Sequence, residues 1–174
     1  MQKVLNKIAV VGPESTGKTV LCEQLAKHYQ STFVPEFARD FLLERNNVYT
    51  QEDLLFIVEQ QAILEKKIEQ EANRFLFIDN DYINLKIWMQ EVFQQNNAYI
   101  HQMIITHTYQ LYLLCDIDVA WEADILRQNE NNRDYLYQRF EEELNHYQFP
   151  YVKISGIGQT RLLQAIEKID LHFK

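Results

Sequence analysis

Five short apolar runs punctuate the chain, and each stops at a turn former or an acid. Lys7-Ile8-Ala9-Val10-Val11 runs into Gly12, and Thr32-Phe33-Val34 stops at Pro35. Arg74-Phe75-Leu76-Phe77-Ile78 stops at Asp79, Leu111-Tyr112-Leu113-Leu114-Cys115 at Asp116, and Tyr151-Val152-Lys153-Ile154-Ser155 at Gly156. Most are apolar at neighbouring rather than alternate positions, the pattern of strands covered on both faces in a parallel sheet. The stretches between them carry the helical period. After Thr19 come Leu21, Leu25 and Ala26, with Glu23 and Lys27 paired at i, i+4. Thr50-Gln51-Glu52-Asp53 reads as a capping box with Asp in the place of Glu. Leu54, Ile57, Leu64 and Ile68 then mark one face, interrupted by Gln61. Further helices are predicted near Phe37, over Tyr82 to Phe93, over Tyr135 to Tyr147, and from Gln159 to Leu171. The Asn- and Gln-rich stretches around 94–97 and 128–132 read as loops. Strands alternating with helices predict an α/β fold, a five-stranded parallel sheet flanked by helices, as one domain over 1–174.

Composition narrows the function. The 174 residues carry 17 Lys and Arg against 25 Asp and Glu, a net charge of −8. Without a basic cluster, neither nucleic acid nor an acidic membrane surface is an expected partner. No apolar run approaches the roughly 20 residues of a membrane span, and the N-terminus lacks a signal-peptide pattern. Cys22 and Cys115 lie in apolar surroundings without metal-ligand spacing, so they read as reduced core residues and a cytoplasmic location is expected. There are only four glycines, and two of them, Gly12 and Gly17, fall within one short segment.

That segment, Gly12-Pro13-Glu14-Ser15-Thr16-Gly17-Lys18-Thr19, fits G-x-x-x-x-G-K-[ST] between a predicted strand and a predicted helix. This context predicts a phosphate loop and a P-loop NTPase fold. Backbone N–H groups from Gly12 to Val20 would surround phosphate oxygens at a helix N-terminus. Lys18 would reach the β- and γ-phosphates of ATP, and Thr19 would offer a hydroxyl to Mg²⁺. Ligands of such sheets bind beyond the C-terminal strand ends, where Glu36, Asp79, Asp116 and Ser155-Gly156 lie. Asp79 is the candidate second metal ligand, with a strand-end cap as the alternative. Glu36 and Asp81 are candidate bases, each with a helix cap as the alternative. The chain lacks the Asn/Thr-Lys-x-Asp of a Ras-like GTPase and the Ser-Gly-Gly-Gln of an ABC protein, and it is short for an AAA+ motor with its lid domain. A small-molecule kinase remains. Arg127, Arg133 and Arg139 fall where such kinases carry a mobile lid, about 119–140, with a solvated helix face as the alternative.

Several local matches in order make the reading more specific. Ile8-Ala9-Val10-Val11-Gly12-Pro13-Glu14-Ser15-Thr16-Gly17-Lys18-Thr19, Val34-Pro35-Glu36-Phe37-Ala38-Arg39 and Tyr49-Thr50-x-Glu52-Asp53-Leu54 carry the likeness. So do Asp79-x-Asp81 with Lys86-x-Trp88, and Leu113-Leu114-x-Asp116-x-Asp118-x-x-Trp121-x-x-Asp124-x-x-Arg127. Over residues 7–165 the chain resembles the nicotinamide-riboside kinase domain of NadR-type NAD-salvage proteins. It departs at Asn80 and Asn84, where that family has Thr, and at Ala120 and Ile125, where it has Pro and Gly. The resemblance implies a stand-alone kinase that uses ATP and Mg²⁺ to phosphorylate nicotinamide riboside. The base in that reaction is Glu36 or Asp81, with Glu36 favoured by its position after the second strand and Asp81 otherwise a hydroxyl-binding group; both are carried as substrate contacts, with Arg39 positioning the acceptor and Arg127 and Arg133 closing from the lid. Phe37, Tyr82, Trp88 and Trp121 are candidates to face the pyridinium cation. Trp88 is carried as a substrate-binding residue, with core packing as the competing reading. Two alternatives stay open: another nucleoside or hydroxylated metabolite as acceptor, and a nucleotide-dependent switch that signals to a protein partner.

Overall fold

The computed structural model describes residues 4–107 and 109–174. Five strands, β1 (Asn6–Val11), β2 (Thr32–Val34), β3 (Phe75–Asp79), β4 (Leu111–Cys115) and β5 (Tyr151–Ile154), form one sheet in the order β2-β3-β1-β4-β5. All four pairings are parallel. Among the described residues seven α-helices flank the sheet: α1 (Lys18–His28), α2 (Phe37–Glu44), α3 (Gln51–Glu69), α4 (Tyr82–Phe93), α5 (Ala98–Thr106), α6 (Arg133–His146) and α7 (Gly158–His172).

Strand period explains why the runs are continuously apolar. Ile8, Val10, Phe75, Phe77, Leu111 and Leu113 face one core with Leu21 and Leu25 of α1 and Ala165 and Ile169 of α7. Ala9, Val11, Leu76, Ile78, Tyr112 and Leu114 face the other, with α2 to α6. Neither face meets water, so neither position of the two-residue repeat is polar. Cys22 and Cys115 are buried and unpaired, and burial pushes the Cys115 thiol up to about 11.

Two features differ from the sequence expectation. The stretch 98–106 is a helix that the loop reading around 94–97 did not extend to. Asn97 caps α5, accepting from the Tyr99 and Ile100 N–H groups at 2.9 and 3.1 Å, and Ile100, Met103 and Ile104 face the core. Gln61 does not merely interrupt the α3 face, because it is itself buried. Its Oε1 accepts from the Phe37 N–H at 2.8 Å and its Nε2 donates to the Pro35 carbonyl at 3.2 Å. One buried amide thus grips the backbone on both sides of Glu36. The capping box forms as expected: Thr50 Oγ1 accepts from the Asp53 N–H at 3.2 Å, and Asp53 Oδ2 accepts from the Thr50 N–H at 2.9 Å.

Asp81 is the N-cap of α4. Its Oδ1 accepts from the Ile83 N–H at 3.1 Å and the Asn84 N–H at 3.2 Å, and the residue is 3% exposed. Asp81→Ala leaves both donors unpaired in the interior and is expected to lower the unfolding free energy by about 1–2 kcal/mol. Urea denaturation measures this, and a loss below about 0.3 kcal/mol would show that water replaces the cap.

Candidate active site

β1 lies between β3 and β4, where the strand order reverses, and its C-terminal end opens into the phosphate loop. Gly12 has φ +139, and a Cβ there would lie 2.8 Å from the Cys115 carbonyl oxygen, so no side chain fits. The loop then curls on itself. Thr16 Oγ1 donates to the Pro13 carbonyl at 2.8 Å, and Lys18 Nζ donates to the same oxygen at 2.7 Å. Gly17, at φ +74, hands the chain to α1 without a side-chain cap. The first-turn N–H groups of α1 are therefore available to an anion.

Asp79 ends β3 beside this loop. Its Oδ2 accepts from Thr19 Oγ1 at 2.5 Å, while its Oδ1 is buried with no hydrogen-bond partner. Burial raises its pKa, against the pull of Lys18. A sealed, unpaired carboxylate oxygen next to a hydroxyl fits a hard divalent cation. Among the described residues no three His, Cys, Asp or Glu side chains cluster to hold a metal by themselves. A cation here would draw its remaining ligands from phosphate and water, as Mg²⁺ does.

Glu36 occupies the N-cap position of α2, yet its side chain makes no capping bond. Its Oε1 instead accepts from Asn80 Nδ2 at 2.9 Å. Burial, with the Asp79 charge adding to it, pushes its pKa up to about 7, against Lys18, Asn80 and Arg39. A cavity of about 740 Å³ joins these groups. Its wall includes Gly12 to Val20, Glu36, Arg39, Asp79, Asn80, Trp88 and Arg127. The Trp88 indole N–H donates to the Tyr49 hydroxyl at 2.9 Å, and the two rings pack edge to face at 5.1 Å.

Asp81 lies outside the cavity, and the arginines are engaged by protein partners, Arg39 and Arg127 from within its wall. Asp81 is not in the cavity wall, because its carboxylate is spent on the α4 cap. Arg133 heads α6, and its Nη1 donates to the Val119 carbonyl at 2.9 Å and the Ser15 carbonyl at 3.3 Å. Arg39 pairs with Asp124 at 2.5 Å, and Arg127 donates to the Glu122 carbonyl at 2.7 Å. Glu14 turns from the phosphate loop toward the β4–α6 segment. Its carboxylate accepts from the Gln128 and Asn129 N–H groups, both at 3.0 Å, and from Asn129 Nδ2 at 3.2 Å. Ser15 Oγ accepts from the Glu122 N–H at 2.9 Å. Phe37 packs with Phe41 and Phe56, Tyr82 is in the core, and Trp121 lies under the Arg133 guanidinium at 5.7 Å.

Arg161 was missed. It is 4% exposed, and its guanidinium donates to the Thr16 carbonyl at 2.9 Å, the Gly156 carbonyl at 2.7 Å, the Asp116 carbonyl at 3.2 Å and the Asp118 carboxylate. It ties the phosphate loop to the ends of β4 and β5. The sequence signal is an arginine at i on the stripe that continues through Ala165 and Ile169.

A family model described as an AAA domain matches residues 7–161. The chain belongs to this AAA domain family. The trifunctional NAD biosynthesis/regulator protein NadR of Salmonella typhimurium is 24% identical over 172 residues, 93% of this chain. The chain spans 41% of the length of that relative. Among solved structures, NadR protein in complex with NR superposes with a TM-score of 0.82 at 21% identity, covering 96% of this chain and 51% of that one. Thymidylate kinase from Ehrlichia chaffeensis superposes with a TM-score of 0.65 at 15% identity, covering 95% and 99%. The fold is that of these P-loop proteins. No helix among the described residues is long and apolar enough to cross a membrane.

The Glu36 environment has a signed consequence for stability. With a pKa of about 7 against an ordinary 4.5, the folded chain holds a proton through a window in which the unfolded chain has lost it. The stabilisation is complete below the unfolded pKa and is lost as pH rises through the folded one. Wild type is therefore expected to lose about 2 kcal/mol relative to Glu36→Gln between about pH 5 and pH 8. Paired urea titrations at those pH values check it, and a constant gap would mean that Glu36 titrates as an ordinary carboxylate.

Proposed function

We propose that this chain is an ATP-dependent nucleoside kinase whose acceptor is the 5′-hydroxyl of nicotinamide riboside, giving nicotinamide mononucleotide. The observation that carries the reading is Glu36. A carboxylate free of helix capping shares one cavity with the phosphate loop and Asp79. The likeness to NadR protein solved with NR supports the choice of acceptor.

The phosphate loop and Lys18 bind the triphosphate, with Lys18 exchanging its bond to the Pro13 carbonyl for phosphate oxygens. Thr19 and Asp79 would hold Mg²⁺, which supplies charge neutralisation on the phosphates. Glu36 receives the proton of the acceptor hydroxyl. The new bond joins that oxygen to the γ-phosphorus as the bond from phosphorus to the β–γ bridging oxygen breaks, and ADP leaves. Transition states of this kind are loose, so positioning and charge matter more than proton removal. In this reading Arg127, which lines the cavity, and Arg133, at the head of α6, close on the transferring group from the proposed lid at about 119–140, and Arg39, also in the wall, positions the acceptor. Trp88, braced by Tyr49, offers an aromatic face to the pyridinium, a contact worth about 0.5–2 kcal/mol.

A second reading keeps the kinase and changes the acceptor. Asn80 and Asn84 put two neutral amides in the wall, which would suit an uncharged base. An ADP-release assay with product identification separates the two. Nicotinamide riboside is expected to turn over faster than uridine or the purine nucleosides, and the reverse order would move the assignment to another nucleoside. ATP consumption unaffected by every acceptor would instead favour a nucleotide-dependent switch.

The metal and base roles separate by magnesium. Asp79→Asn is expected to lose activity that excess Mg²⁺ partly restores. Glu36→Gln is expected to lose about 10²-fold in kcat, the low end for a general base, with no magnesium rescue and an unchanged KM for ATP. Exchanged behaviour would exchange the roles.

A further inference from the structure

Asn80 sits between Asp79 and Asp81 in a left-handed backbone conformation, φ +64. Its N–H donates to the Val10 carbonyl at 3.1 Å, which fixes it beside the phosphate loop at the end of β1. Asn is among the few non-glycine residues that accept this conformation at low cost. The side chain is 8% exposed and lines the cavity. Nδ2 donates to Glu36, while Oδ1 is buried without a partner. A buried amide with one end unpaired is not what packing alone would select, because the unpaired acceptor destabilises the fold. With Glu36 ionised, reversing the amide would set Oδ1 against a carboxylate oxygen. Among the described residues this is the one hydrogen bond made by the Glu36 carboxylate, since Gln61 holds only the backbone on either side.

We infer that Asn80 is a positioning residue for phosphoryl transfer, acting through Glu36 by holding its carboxylate where the acceptor hydroxyl arrives. The inference rests on the reading of Glu36 as the base. It separates two functions that lie side by side in sequence: Asp79 faces Thr19 and the metal position, Asn80 faces Glu36. The left-handed backbone at Asn80 sets the directions in which the two consecutive side chains leave the chain.

A double-mutant cycle tests it. Asn80→Gly keeps the left-handed backbone and removes the amide. Asn80→Asp keeps the shape and the backbone tolerance and replaces the donor by an acceptor. In the wild-type background each is expected to lower kcat about tenfold, the loss of one hydrogen bond to a charged group, with the KM for ATP unchanged. In the Glu36→Gln background neither is expected to change kcat by more than about twofold, because the group they act through is already gone. Melting curves of all variants establish the folded fraction to which kcat is referred. An equal tenfold loss in both backgrounds overturns the inference and leaves Glu36 as the base. A loss that disappears once kcat is referred to folded protein overturns it as well, making Asn80 structural. Wild-type kcat in Glu36→Gln removes the base reading, and the inference falls with it.

Discussion

The contact between Gly12 and the Cys115 carbonyl holds the site together. A Cβ at position 12 would lie 2.8 Å from that oxygen, so the chain leaving β1 passes directly against the end of β4. This close passage is what lets the loop curl back until Pro13 meets Thr16 and Lys18. It also places the segment that follows β4 over the loop. Arg161 completes the arrangement from the other side, joining the Thr16 carbonyl to the Asp116 and Gly156 carbonyls. Such a buried guanidinium is tolerated because its donors are paired, with Asp118 supplying the countercharge. Remove the glycine and the loop, the β4 end and the arginine each lose the geometry the other two require.

Two neighbouring carboxylates, Glu36 and Asp79, lie in the cavity wall beside the phosphate loop, and this sets its chemistry. Glu36 and Asp79 approach one another across the end of the sheet, and burial and mutual repulsion raise the Glu36 pKa to about 7. Lys18 opposes the shift at both carboxylates. With the Lys18 charge turned toward a phosphate, less of it would oppose the two carboxylates, and a cation held by Asp79 and Thr19 would supply the balance. A base with a pKa near neutrality is suited to accepting a proton and releasing it again. The buried polar groups are costly to the fold, and Gln61 offsets part of that cost by satisfying the Pro35 carbonyl and the Phe37 N–H.

Much of the architecture was legible because the strands are covered on both faces. Continuous apolar runs such as Leu111–Cys115 and the phosphate-loop spacing require no knowledge of tertiary contacts, and the capping box at Thr50 is a local bond. What stayed hidden depends on long-range partners. Asp81 carries the same side chain as Asp79 two positions earlier, yet one caps a helix and the other meets Thr19. Only the φ of +64 at Asn80 separates their directions, and no composition signal encodes it. The phosphate-loop motif speaks only for the backbone of Glu14 and is silent on its carboxylate, whose partners are Gln128 and Asn129. Arg161 and Gln61 read as flaws in apolar stripes until the backbone groups that they satisfy are seen. The short helix α5 was missed for a different reason, since its Asn97 cap sits in an Asn-rich stretch that resembles loop composition.

The β4–α6 segment is held by two kinds of bond, and their difference bears on how a nucleotide could enter. Arg127 pairs with Glu122 within the segment itself; Arg39 and Asp124 join the segment to α2 as an ion pair with an exposed arginine, of a class worth about 0–1 kcal/mol. Separating Arg39 from Asp124 costs little, and salt screens what remains. Glu14 and Ser15 differ, since each joins the phosphate loop itself to backbone N–H groups of the segment. A loop that rearranges around phosphate must shift these two residues, and the segment shifts with them. Gln128 and Asn129 are thus tied to the phosphate loop through Glu14, while the surface pair at Asp124 is the weaker tie. The stiff link is on the side where the nucleotide binds and the weak link is at the outer edge. A segment mounted this way takes its position from the conformation of the phosphate loop, because Glu14 and Ser15 belong to that loop.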